Sequence, residues 1–150
     1  MTYHKDLSTY TYSKSEKSQL PVLNIGWLSN SESFVIGETS LEFREKLHRF
    51  CLDENVVLTM RGFHNCEFCG LSWEEWGKKH PSYGENAELM GVGNGEIRII
   101  GKSKLYASPA LIFHYVVEHN YKPPQEFIEA VLTGPQSDSA EHKALLANYK

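Results

Sequence analysis

At 150 residues, with 41% apolar and 23% charged side chains, the chain is long enough to bury roughly 68–70% of its unfolded surface in one core, which excludes a disordered polypeptide. Fifteen basic against nineteen acidic residues leave a net charge of −4. No Lys/Arg cluster supplies the electrostatic footprint of a nucleic-acid binder, so neither DNA nor RNA is an expected partner. No apolar run reaches the ~18–20 residues of a membrane span, and the polar N-terminus has no secretory h-region, so the expected location is the cytosol.

Residues 1–20 are polar and read as an N-terminal arm, in which Tyr10 and Tyr12 alternate with threonines. The segment Val22–Leu28 (VLNIGWL) predicts a short buried strand. A helix follows over Leu41–Asp53. Thr39 and Glu42 have the capping-box spacing, and Leu41, Phe43, Leu47, Phe50 and Cys51 form an apolar stripe. Cys51 is read as a core residue, because free cysteine packs as a small hydrophobe. Asn55–Met60 (NVVLTM) predicts a second strand.

Arg61–Gly70 (RGFHNCEFCG) carries the chemistry. Ser72 and Glu75 place a helix start after it. Gly93-Asn94-Gly95 is a hairpin turn, since neither the P-loop nor the G-x-G-x-x-G pattern surrounds it. The strand KLYAS and a helix over Pro109–Asn120 come next, with Ser108 as N-cap and Pro109 in the first turn. Pro124 opens a further helix that Gly134 closes. Residues 135–150 are a polar tail or loose helix. The elements mix strands and helices without a βαβ rhythm. The expectation is therefore an α+β fold, a small single domain over residues 21–134 with a short, mostly antiparallel sheet, three to four helices and a C-x-x-C knuckle.

Cys66 and Cys69 support three readings. A C-x-x-C turn puts two sulfurs on one side of a tight loop, half of a tetrahedral zinc site, and Gly70 leaves room for backbone N–H groups near the sulfurs. His114 and His119 have H-x₃₋₅-H spacing and complete the set, with His64 as reserve ligand on the same loop. On a straight helix, five positions turn the two histidines about 140° apart. Both face one ion only if the helix ends near His119, where HNYKPP blocks continuation. A thiol–disulfide redox pair needs the first cysteine at a helix N-terminus, and the capping signal at Ser72 falls too late. The third reading is two ordinary loop cysteines packed against Phe63 and Phe68. The metal reading leads.

His4, His48, His80 and His142 lie among polar neighbours and are expected to face solvent. Trp73 and Trp76 are expected to pack in the core rather than line a groove near Tyr83, and Arg61 to make a structural salt bridge. No H-E-x-x-H, zinc-deaminase or G-x-S-x-G signature is present, so no catalytic residue is assigned.

Four segments, VLNIGWL, RGFHNCEFC, GNGEIRI and YASPALIFHYVVEHNYKPPQEFIEAV, resemble in that order a family of short uncharacterised bacterial proteins, a domain of unknown function. The likeness runs from about Val22 to Val131. It implies a bacterial origin and a small stand-alone domain, and suggests that the cysteine stretch and the His114/His119 segment share one site. The sequence reading is a cytosolic protein with one structural zinc that acts as a binding or interaction module, its protein partner unidentified. The competing class is an enzyme, either a metal-dependent hydrolase that keeps a water on the ion or a redox protein using Cys66 and Cys69.

Overall fold

A computed structural model of the chain describes residues 2–11, 20–59, 66–70, 75–76 and 95–149. Three strands form one sheet in the order β1 (Val22–Asn24), β3 (Leu105–Pro109), β2 (Glu96–Ile100). The central β3 pairs antiparallel with β2 over five register positions and parallel with β1 over three. Antiparallel pairing thus dominates, and the fold is α+β as expected. Four helices with described bounds accompany the sheet: α1 (Leu41–Phe50), α2 (Ile112–His119), α3 (Gln125–Thr133) and α4 (Ala140–Ala147). None of the described helices is long and apolar enough to cross a membrane.

Alternation along the strands explains the layering, because successive side chains leave opposite faces of a sheet. Ile97 and Ile99 of β2 and Tyr106 of β3 turn towards α1, α2 and α3. They join Phe43, Leu47, Phe113, Tyr115, Phe127 and Val131 in the main core. Leu105, Ala107 and Val22 turn the other way, against Tyr10 of the N-terminal arm, Trp27 and Leu145 of α4. The two ends of the chain therefore cover the second face of the sheet. The arm runs beside β1, with Tyr10 N–H donating to Val22 O (2.8 Å) and Asn24 N–H to Ser8 O (2.8 Å). Asp6 ties it further in: its carboxylate accepts from Gly26 N–H (2.9 Å) and from the Tyr121 hydroxyl (2.7 Å). Gly26 has φ +79°, and a Cβ there would meet Ile112 Cδ1 at 2.8 Å, so glycine is required on both counts.

Local structure departs from the sequence expectations in specific ways. The cap of α1 is Ser40, whose hydroxyl accepts from Phe43 N–H (3.1 Å). Thr39 instead receives Arg44 Nε (2.9 Å), and the helix ends at Phe50 rather than Asp53. Pro109 does not start a helix. It ends β3 opposite Glu96, and Ala110 N–H still donates to Gly95 O (2.9 Å), so the ladder holds the chain extended through Pro109, and a turn at Ala110–Leu111 leads into α2 at Ile112. Ser108 is accordingly a buried strand residue and caps nothing. The hairpin that joins β2 to β3 turns at Gly101–Lys104, closed by Gly101 N–H to Lys104 O (2.9 Å). The expected turn residues Gly93 and Asn94 lie outside the described residues. Of the predicted strand Asn55–Met60, residues 55–59 are described, and they contribute one bridge, Val57 to Glu96. Leu58 follows at φ 52°, a conformation that breaks a strand. β1 is confined to Val22–Asn24 within the longer stretch expected.

A buried ion pair lies on the second face of the sheet, where the sequence reading assigned none. Arg98 Nη1 meets Glu96 Oε1 at 2.9 Å, with both side chains almost fully buried. Tyr10 OH donates to the same Glu96 oxygen (2.8 Å), and Arg98 Nε donates to Tyr149 OH (3.2 Å). The guanidinium carbon sits 4.7 Å from the Tyr10 ring centroid and 5.2 Å from that of Tyr149, a cation held between one ring from each chain end. Two histidines expected in solvent are packed instead. His142 is buried, with Nε2–H donating to Arg98 O (3.2 Å). His48 is half-buried edge-on to Phe113, their ring centroids 5.0 Å apart. His4 is partly buried against Trp27, and His80 lies outside the described residues.

Truncating one member of a buried pair strands the other charge. Glu96→Ala is therefore expected to lose about 3–5 kcal/mol in urea unfolding, whereas Glu96→Leu with Arg98→Met recovers most of it. An equal loss from the double variant argues against a stranded charge. Burial holds His142 and His48 below their usual 6.5, with Arg49 adding to the effect at His48. The native state then binds fewer protons than the unfolded chain. Stability is full above pH 6.5 and falls as pH drops through the depressed native values. Thermal melts from pH 7 towards pH 5 should show this loss, and His142→Gln should lessen it.

Candidate metal centre

Cys66 and Cys69 lie on a tight turn closed by Gly70 N–H donating to Cys66 O (2.8 Å). Gly70 has φ +65° with open space around its Cα. Its role is thus the left-handed exit from the turn, a conformation that costs other residues about 1–2 kcal/mol. Phe68 N–H donates to Cys66 Sγ (3.4 Å), the backbone-to-sulfur approach expected of a knuckle. Cys66 is buried and Cys69 partly exposed.

The opposite side of the site is the end of α2. Asn120 adopts φ 54°, ψ 28°, and Tyr121 N–H returns to Tyr115 O (3.1 Å), which stops the helix at His119 in a left-handed cap. This ending meets the geometric demand of the H-x₄-H spacing: the His114 and His119 rings come within 5.1 Å, centroid to centroid. Cys66 Sγ lies 3.2 Å from His119 Nε2, and Cys69 Sγ lies 3.5 Å from His114 Nε2. Ligand atoms from all four residues fall within 4.8 Å of one another. A tetrahedron with metal–sulfur bonds of about 2.3 Å and metal–nitrogen bonds of about 2.0–2.1 Å has S···N edges of about 3.5 Å, so the spacing fits one ion. Two separate thiol–imidazole hydrogen bonds account for the two S···N distances but not for the convergence of the four. Cys66, Cys69, His114 and His119 are positioned to bind a metal ion.

Packing holds the ligands from both sides. Phe68, on the turn, meets His119 (5.3 Å), Tyr115 (5.8 Å) and Phe34 (5.3 Å) between ring centroids. Trp76 is a core residue, as expected. Its ring stands 5.2 Å from His114 and 6.1 Å from Phe113, and its Nε1 donates to Glu118 Oε2 (3.2 Å). The electrostatics also favour a cation. Burial pushes the Cys66 thiol up to about 11, and burial lowers His119. Burial thus favours the neutral forms of the Cys66 thiol and the His119 imidazole when no positive ion is beside them. A divalent ion held by these four residues would supply the charge that stabilises thiolates there.

Of the expected site residues, four are brought together. His64, Arg61, Phe63, Ser72, Trp73 and Tyr83 lie outside the described residues. Sequence reasoning missed Phe68 and Trp76 as supports for the imidazoles, and Asn120 as the cap that aims His119. Asn is the residue after glycine most tolerant of positive φ, so its place before YKPP is a usable signal. The cap yields a direct test: Asn120→Gly should leave metal affinity near wild type, whereas Asn120→Val should weaken it roughly tenfold or more by moving His119. Competition titration with a chelator reads both, and equal affinities would separate the cap from the site.

No curated protein and no solved structure matches the chain. A family model described as "Domain of unknown function (DUF7919)" matches residues 2–132, which take in the N-terminal arm, the whole sheet and all four candidate ligands. The chain belongs to that family.

Proposed function

We propose that Cys66, Cys69, His114 and His119 hold one Zn²⁺ as a structural centre, and that the protein serves in the cytosol as a binding module for another protein. The convergence of the four donors within 4.8 Å carries the metal reading. Two sulfurs and two imidazole nitrogens are a donor set that zinc takes tetrahedrally, and softer or harder donors would suit other ions. The thiols face imidazoles instead of forming a disulfide, which accords with a reducing compartment. Four protein ligands leave no position for a water, so the donor set favours a structural role over a hydrolytic one. The ion would join the turn carrying Phe68 to the end of α2, and its binding free energy would become folding free energy.

The interaction role has support of its own. Val35, Ile36 and Leu41 are 65%, 69% and 64% exposed, unusual for apolar side chains. Residues 35–37 run beside the chain that leaves α2: Lys122 N–H donates to Val35 O (2.9 Å) and Gly37 N–H to Asn120 O (2.9 Å). Val35 and Ile36, exposed beside the end of α2, would offer a partner both area and a fixed frame.

Metal analysis of the purified chain should find one equivalent of zinc. Cys66→Ser and Cys69→Ser should each lose the ion and most cooperative unfolding. A wild type that folds stably with no metal ends this reading. The Co²⁺-substituted protein should give the spectrum of a tetrahedral S₂N₂ centre without exchangeable water, and a bound, exchanging water would instead point to a hydrolytic site. Ile36→Asp with Leu41→Asp should keep zinc and stability but abolish co-purification of a partner from the native host.

A further inference from the structure

The two sulfurs of the centre differ in access. Cys66 is 2% exposed and joins the main core, whereas Cys69 is partly exposed at its edge. They are three residues apart in a closed turn, and their ligand atoms share the same 4.8 Å cluster. The third thiol, Cys51, is fully buried at the end of α1 and takes no part in the cluster. The other two ligands are neutral imidazoles, which hold a divalent ion weakly once both thiolate charges are gone.

Resting on the zinc reading above, we propose that this centre is a peroxide-sensitive release site, in which Cys69 is oxidised first, Cys66 resolves it as a disulfide, and the ion leaves. In the first step the Cys69 thiolate attacks a peroxide oxygen. The S–O bond forms, the O–O bond breaks and hydroxide departs, leaving a sulfenic acid. In the second, the Cys66 thiolate attacks the Cys69 sulfur. The S–S bond forms, the S–O bond breaks and a second hydroxide departs. Two electrons pass from the sulfur pair to one hydrogen peroxide, and the ion itself keeps its charge. Access sets the order, since the oxidant must reach the first sulfur and the resolving sulfur only needs to stand beside it.

Loss of the ion frees the turn from α2, and with it Phe68, which packs on His119, Tyr115 and Phe34. Phe34 precedes the exposed Val35 and Ile36, so oxidation is coupled by contact to the apolar surface beside the site.

The test uses the full chain with its zinc content measured first. Hydrogen peroxide is then titrated in the presence of a chromogenic zinc chelator, with thiol counting and peptide mapping. The expected result is two thiols lost for each zinc released, a Cys66–Cys69 disulfide, an unmodified Cys51, and recovery on adding a reductant with zinc. With the sulfenic-acid trap dimedone present, the adduct should fall on Cys69. Zinc retained while other residues oxidise overturns the proposal. So does release with separate sulfinic acids, or a dimedone adduct on Cys66. A chain that never takes up zinc overturns the structural-site reading and this one together, whereas a zinc-loaded chain that forms no disulfide overturns only this one.

Discussion

Four metal-ligating atoms meet where the turn at Cys66–Cys69 abuts the end of α2, and much of the surrounding packing serves that meeting. Desolvation is the governing constraint. A thiol such as Cys66, pushed up to about 11 by burial, gives up its proton only to a compensating positive charge. While Cys69 and His119 stay partly exposed, the aromatic rings of Phe68, Tyr115 and Trp76 pack around the imidazoles and shield the buried side of the cluster, which makes that requirement stricter there. They also hold the imidazoles in place before any ion arrives, which lowers the entropy lost on binding. The same rings are continuous with the main core. The cluster and the core are therefore one continuous packed region rather than a knuckle appended to a finished fold.

The second face of the sheet poses the opposite electrostatic problem and solves it by pairing two charges. Arg98 and Glu96 are removed from water together, and Tyr10, Tyr149 and the Ile97 carbonyl add hydrogen bonds to the pair. Such a pair adds little net stability over apolar residues, but it tolerates few rearrangements. It pins the arm and the segment after α4 to particular strand positions. The family match ends at residue 132, so Tyr10 and the strand residues lie within it, whereas α4 and Tyr149 lie beyond.

Local signals were legible where one element decides them. The stripe of α1, the proline-opened α3, the strand KLYAS and the C-x-x-C turn all depend on neighbours within a few residues. Signals failed where distant contacts compete. Ser108 and Pro109 read as a helix start, but hydrogen bonds from β2 keep that stretch in the sheet. His142 reads as a surface residue because its sequence neighbours are polar, yet the carbonyl of Arg98 and the ring of Phe50 enclose it. Arg98 has no assigned role in the sequence reading, and its burial is decided only when both chain ends fold over it.

The ligand types and each half of the site are written in short stretches of chain. Two cysteines at this spacing present their sulfurs together, and H-x₄-H followed by N-Y-K-P-P ends a helix near its second histidine. That the halves meet is a property of the assembled fold. Cys69 and His114 are 45 positions apart in the chain, and no local propensity acts over that distance. Their meeting depends on where the β2–β3 hairpin delivers α2, on the left-handed cap at Asn120, and on the Asp6–Tyr121 hydrogen bond that holds the chain leaving that helix. Burial, which sets the charge state of the sulfurs and imidazoles, likewise belongs to that neighbourhood and not to any short segment.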